Sequence, residues 1–145
     1  MTPPRRALSL TGTIDAVPAA SRWVRDLAAE LGLCDEETFR LDLCLSELVT
    51  NIASYGTDDG SPPTIEIEVT PEADAVRVRL SDDGIAFDPL EMQHREPDAD
   101  LATAIPGGHG IHLVREFSDA LRYERAGGRN VLEFMLRPTA PLGKA

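Results

Sequence analysis

At 145 residues the chain has room for one compact domain, able to bury roughly two-thirds of the surface its unfolded form would expose. A hydrophobic fraction of 42% beside 27% charged residues argues against a disordered, collagen-like or disulfide-scaffold sequence. Fourteen Lys and Arg against 25 Asp and Glu leave a net charge of −11, a sign that repels nucleic acid and anionic membrane surfaces.

In chain order, Leu8 to Ile14 alternates enough to predict an opening strand. From Val17, apolar residues recur at Ala20, Trp23, Val24, Leu27, Ala28 and Leu31, one helical face that Gly32 should stop. Asp35 is a plausible N-cap for a second helix running to about Tyr55, with Leu41, Leu45, Leu48 and Ile52 as its buried stripe. After the turn-rich stretch from Gly56 to Pro63, Thr64–Thr70 and Ala75–Leu80 alternate with period two and predict a hairpin. Periodicity then fails from Asp88 to Gly108, an interval that carries Pro89, Pro97 and Pro106 and has the length of a functional loop or lid. A short helix from Ile111 to Phe117 and two strands, Ala120–Arg125 and Val131–Leu136, joined at Gly127-Gly128, complete the order. That order places helices in one layer over a largely antiparallel sheet, an α+β two-layer sandwich in a single domain spanning residues 1–145.

The cysteines are Cys34 and Cys44, and on one helix they would be separated by about 15 Å of rise, too far for a disulfide. They are expected to be buried thiols in a reducing compartment. Arg5 and Arg6 precede no apolar run, and no window approaches 18 apolar residues, so the expected location is the cytoplasm. Only one cation in the sequence is a lysine, Lys144, so any nucleotide phosphate must be met by backbone N–H groups, arginines and a divalent metal.

Three segments carry candidate chemistry. Glu47 and Asn51 stand four apart and so stack on one face of the second helix, a carboxylate above a carboxamide suited to a base-and-metal pair. On a solvated face that spacing is also commonplace. Ser81–Pro89 follows an alternating strand, where Asp82 could accept from an exocyclic amine while Gly84 lets the backbone approach a flat ring; a plain Asp-Gly turn has the same composition. Gly107-Gly108-His109-Gly110 precedes a helix, where unpaired N–H groups and the helix dipole receive phosphate, or where a glycine hinge simply starts the helix. His94, His109 and His112 lack a Cys or carboxylate at recognisable ligand spacing, so zinc is not expected. No Gly-x-Ser-x-Gly element points to a hydrolase.

Glu47–Asn51, Asp82–Pro89, Gly107–Val114 and Gly127–Phe134 together resemble, in order, the N, G1, G2 and G3 boxes of the GHKL ATPases. The chain is most similar to the small anti-sigma-factor serine-protein kinases of the bacterial partner-switching type, from about Leu8 to Leu136. The resemblance implies a Bergerat fold, helices over a mostly antiparallel mixed sheet, binding ATP and Mg²⁺ between the helical layer and a lid at about residues 88–108. It implies Glu47 as general base, Asn51 as Mg²⁺ ligand and Asp82 as the acceptor for the adenine amine. Gly84, Phe87, Gly107, Gly108, Gly110 and Ile111 complete the implied nucleotide contacts.

The partner implied is a STAS-type anti-sigma antagonist protein, phosphorylated on Ser or Thr, with a sigma factor and a second copy of the chain as further partners. The alternative reading is a non-catalytic, nucleotide-gated anti-sigma adaptor. A detached histidine-kinase catalytic domain is a third reading, without the dimerisation helices or phospho-acceptor segment it would be expected to accompany.

Overall fold

The structure is a computed structural model that describes residues 5–55, 57, 59–73, 75–90 and 110–137. Strand β1 (Arg6–Thr11) ends at Thr11 rather than at the expected Ile14. The reason is local: the Gly12 N–H turns to Pro63 O at 2.6 Å, and a Cβ on Gly12 would lie 2.8 Å from that oxygen. Ile14 is left exposed in the turn that follows.

Helix α1 (Ala16–Leu31) buries Ala16, Ala20, Val24, Leu27 and Ala28, close to the periodicity read from the sequence. Gly32 ends it in the left-handed region at φ 75°, its N–H reaching Ala29 O while the Leu33 N–H reaches Ala28 O, the paired bonds of a Schellman ending.

Helix α2 (Asp35–Tyr55) is capped one residue earlier than expected. Cys34 holds the cap position: its Sγ accepts the Glu37 N–H at 3.4 Å, and Glu37 Oε1 accepts the Cys34 N–H at 3.0 Å. This is a capping box with a thiol in place of the usual hydroxyl, and Asp35 sits instead in the acidic first turn. The two cysteines accordingly differ, Cys34 being exposed and Cys44 buried. Burial pushes the Cys44 thiol up to about 12.

Strands β2 (Thr64–Pro71) and β3 (Val76–Asp82) form the expected hairpin, and α3 (Gly110–Phe117), β4 (Ser118–Ala126) and β5 (Arg129–Leu136) follow. The sheet order is β1-β2-β3-β5-β4, and all four pairings are antiparallel. β3 and β4 therefore run in the same direction but never touch as neighbours, because β5 folds back between them; among the described residues the sheet has no parallel pair that would make it mixed. In β4 the register shifts between Asp119 and Arg122, and Ala120, at φ 55°, marks the bulge.

One face of this sheet receives the helices. Leu41, Leu45, Leu48 and Val49 of α2, with Ile111 and Val114 of α3, share the core with Ile65, Ile67 and Val69, with Val78 and Leu80, and with Leu132, Phe134 and Leu136. The α+β two-layer arrangement is the one the element order predicts. No helix among the described residues is long and apolar enough to cross a membrane.

Candidate functional site

The inward phase of two neighbouring strands ends on polar residues. In β3, Val76, Val78 and Leu80 are followed by Asp82; in β5, Asn130 is followed by Leu132, Phe134 and Leu136. Asp82 and Asn130 are direct register partners, 4% and 6% exposed, so two polar groups meet where the alternation calls for apolar ones. Helix α2 adds a third, Asn51, 2% exposed and level with the apolar stripe rather than on a solvated face.

These three line one cleft, with an apolar wall made by Leu48, Ile52, Leu80 and Leu132 and a rim that includes Phe87 and Tyr123. The cleft encloses only about 20 Å³ and opens outward at its rim. Apolar walls with a few convergent polar groups are the usual lining of a small-molecule site.

Asp82 Oδ1 accepts from the Gly84 N–H at 2.9 Å and from Asn130 Nδ2 at 3.0 Å. Among the described residues no group donates to Oδ2. Burial raises the carboxyl above its usual range, against the opposing effects of those two hydrogen bonds and of Arg129 and Arg125. A carboxylate in this setting gains most from one further donor, which an exocyclic amine supplies.

Asn51 presents the other unmet demand: neither Oδ1 nor Nδ2 has a hydrogen-bond partner among the described residues, although both are buried. Leaving such groups unpaired costs about 1–3 kcal/mol each, so a ligand that meets them recovers that amount. An amide oxygen is a hard donor of the kind Mg²⁺ takes. No group of three His, Cys, Asp or Glu able to hold a metal occurs among the described residues. A Mg²⁺ ion bound here would draw on Asn51 and on phosphate oxygens, which suits its preference for few protein ligands.

Of the remaining expected residues, Gly84 ties the chain to Asp82, and Phe87 stacks on Tyr55 with ring centroids 5.6 Å apart. Glu47 is half-buried one helical turn before Asn51, but it does not line the cleft that Asn51 and Asp82 share. Gly110 opens α3, so its N–H and that of Ile111 belong to a first turn with no intrahelical partner. The Ile111 side chain is 1% exposed and sits in the core, which leaves only its backbone to face a ligand. Gly107 and Gly108 fall outside the described residues, as do His94, His109, the His112 side chain and the lid beyond Leu90.

Asn130 lies in the stretch Gly127–Phe134 and has no role among the residues expected from the sequence. Its signal was available: an amide in the apolar phase of an alternating strand needs partners, just as Asp82 does. Tyr55 and Tyr123, aromatic residues at the ends of elements, carried no comparable signal.

The family model for the histidine kinase-like ATPase domain matches residues 10–136. Over 125 residues the chain is 32% identical to the serine/threonine-protein kinase BtrW of Bordetella bronchiseptica, covering 86% of this chain and 88% of that protein. The RsbU and RsbW domains of Rv1364c from Mycobacterium tuberculosis superpose with a TM-score of 0.63 at 17% identity, covering 93% of this chain. The blue-light activated histidine kinase of Erythrobacter litoralis EL346 does so with a TM-score of 0.54 at 18% identity, covering 78%. The chain spans 32% and 34% of those two solved chains, and the likeness to them is one of fold. With that fold, with a buried carboxylate and a buried amide facing one cleft, and with a family match over most of its length, the chain belongs to the histidine kinase-like (GHKL) ATPase family.

Proposed function

We propose that this protein is an ATP-dependent serine/threonine kinase of the bacterial partner-switching type. In this reading it transfers the γ-phosphoryl group of ATP to a Ser or Thr hydroxyl of a STAS-type anti-sigma antagonist, and otherwise holds a sigma factor. The observation that carries the reading is that Asp82 and the amide of Asn51, which has no partner among the described residues, line one apolar cleft. The 32% identity to a protein named as a serine/threonine kinase supports the choice of acceptor.

In this reading Asp82 Oδ2 accepts the adenine amine while Leu48, Ile52, Leu80 and Leu132 exclude water from the ring. Asn51 holds Mg²⁺, which when bound neutralises charge on the phosphates. Gly107, Gly108, Gly110 and the first N–H groups of α3 receive phosphate oxygens, a task for which no lysine stands among the described residues. Glu47 takes the proton of the attacking hydroxyl as the oxygen bonds to the γ-phosphorus and the bond to the β-phosphate oxygen breaks. ADP leaves with the electron pair. Positioning and charge neutralisation supply most of the rate.

One feature favours the second reading, a nucleotide-gated adaptor without transfer: Glu47 lies outside the cleft lining. Incubation with γ-labelled ATP and candidate antagonist proteins separates the two. Label on a Ser or Thr of the partner supports the kinase; ATP binding with no label on any partner that binds supports the adaptor.

A further inference from the structure

Every hydrogen-bonding position of the Asn130 side chain is used within the protein. Its Oδ1 accepts the Phe87 N–H at 3.1 Å and the Tyr123 hydroxyl, and its Nδ2 donates to Asp82 Oδ1 at 3.0 Å and to Ile85 O at 2.7 Å. Three of those four bonds end on the segment from Asp82 to Phe87. A fifth contact from the same hairpin, Arg125 Nη1 to Gly84 O at 2.9 Å, holds that segment at its middle. A single buried amide thus fixes both the carboxylate and the loop that carries Phe87 over the cleft.

We propose that Asn130 is a positioning residue for purine recognition, clamping Asp82 so that Oδ1 is occupied by protein donors and Oδ2 alone is offered to the ligand. A carboxylate can turn about its Cβ–Cγ bond, and broad rotamer wells make that motion easy in the absence of restraint. With one oxygen tied to two donors, Asn130 on β5 and the Gly84 N–H in the turn after β3, the rotation is stopped and the remaining oxygen is presented in one direction. Tyr123 and the Phe87 N–H hold the amide in turn and fix which end of it faces Asp82. The β4–β5 hairpin thereby sets the selectivity of a site whose acceptor lies on β3.

This inference rests on the proposed adenine contact of Asp82, and the test separates the two. Binding of ATP and of purine riboside triphosphate, which lacks the 6-amino group, is measured by calorimetry for the wild type and for Asn130→Ala. The ratio of the two dissociation constants is the readout. It isolates the amine contact, and a general loosening of the cleft, which weakens both ligands alike, leaves it unmoved.

The wild type should prefer ATP by about tenfold or more, the worth of one hydrogen bond to a charged group. In Asn130→Ala that preference should fall to within a factor of about three while the purine analogue loses less. Asn130→Ser, whose hydroxyl keeps the position polar but cannot span Asp82 and Phe87 together, should behave the same way and serves if the alanine variant does not fold. A wild type indifferent to the amino group overturns the adenine reading of Asp82. A wild type that discriminates, with a folded Asn130 variant that discriminates equally, overturns the role of Asn130 alone.

Discussion

Asp82→Asn sets binding against stability, and the structure fixes the sign of each. The variant keeps a carbonyl Oδ1 for the Gly84 N–H and Asn130 Nδ2, so the protein's own hydrogen bonds survive. What changes is the other atom: an NH₂ donor replaces Oδ2 and faces the amine it should have accepted. The loss is one hydrogen bond to a charged group, about 1.5–3 kcal/mol, or an ATP dissociation constant raised about 10- to 140-fold. In the unliganded protein the effect runs the other way. Burial raises the Asp82 carboxyl, so its folded-state value lies above its unfolded one. Stability from such a group is fully present below the unfolded value of about 3.9 and is lost as pH rises through the folded one. At pH 7 the wild type therefore carries a charge-burial cost that the variant lacks, and Asp82→Asn should melt higher without nucleotide, with the difference closing near pH 3.5. Calorimetry with Mg²⁺-ATP and thermal unfolding at the two pH values test both signs. An unchanged dissociation constant would refute the assignment of Oδ2 as the purine acceptor, and a lower melting temperature for the unliganded variant at pH 7 would refute the charge-burial cost.

Asn51→Leu removes two buried polar atoms that lack partners among the described residues, and the unliganded protein should gain about 2–6 kcal/mol in denaturant unfolding while Mg²⁺-dependent ATP binding is lost; retained binding that still responds to EDTA would count against Asn51 as the metal-side ligand. Glu47→Gln should bind ATP at least as tightly as the wild type yet slow single-turnover transfer to the antagonist by roughly 10²–10⁴-fold; equal transfer rates would exclude it as the base. Of the two thiols, Cys34 should react with a chromogenic disulfide in the native protein and Cys44 only after unfolding, since at pH 8 a thiol pushed up to about 12 is ionised in about one molecule in ten thousand. Two thiols titrating at equal rates would contradict the burial of Cys44. Gly12→Ala should destabilise the fold by about 1–3 kcal/mol in denaturant unfolding, because its Cβ would press on Pro63; an unaltered midpoint would show that the β1–α1 turn gives way.

Long periodic runs made the element order legible: the alternation of β2 and β3 and the stripe Leu41, Leu45, Leu48 and Ile52 fix which faces meet. Boundaries were less so, and for identifiable reasons. The end of β1 is set by Pro63, a residue 51 positions beyond Gly12 that no local pattern shows, and the cap of α2 by a thiol standing where a hydroxyl or carboxylate is usual. Asp82 and Asn51 could be named as polar residues of the right chemistry. Their burial could not, because the Glu47–Asn51 spacing reads equally well on a solvated face. Asn130 went unassigned for a related reason: its four bonds span separations from 7 to 48 residues, and only the sheet register brings their ends together.

The strand order also bears on how the protein emerges from the ribosome. β3 carries Asp82, yet its inner neighbour is the last strand to be made, 48 residues downstream at Asn130. At synthesis rates of about 5–20 residues per second, a nascent chain waits roughly 2–10 s with β3 as an unpaired edge and its carboxylate unrestrained. Helices α1 and α2 and strands β1, β2 and β3 can pack during that interval, since all of these elements, and both strands of the β1–β2 and β2–β3 pairings, have by then been made. The cleft takes Tyr123, Asn130 and Leu132 from the β4–β5 hairpin, so a ligand of that cleft would meet its full lining only after the hairpin closes, and would stabilise completed molecules more than forming ones.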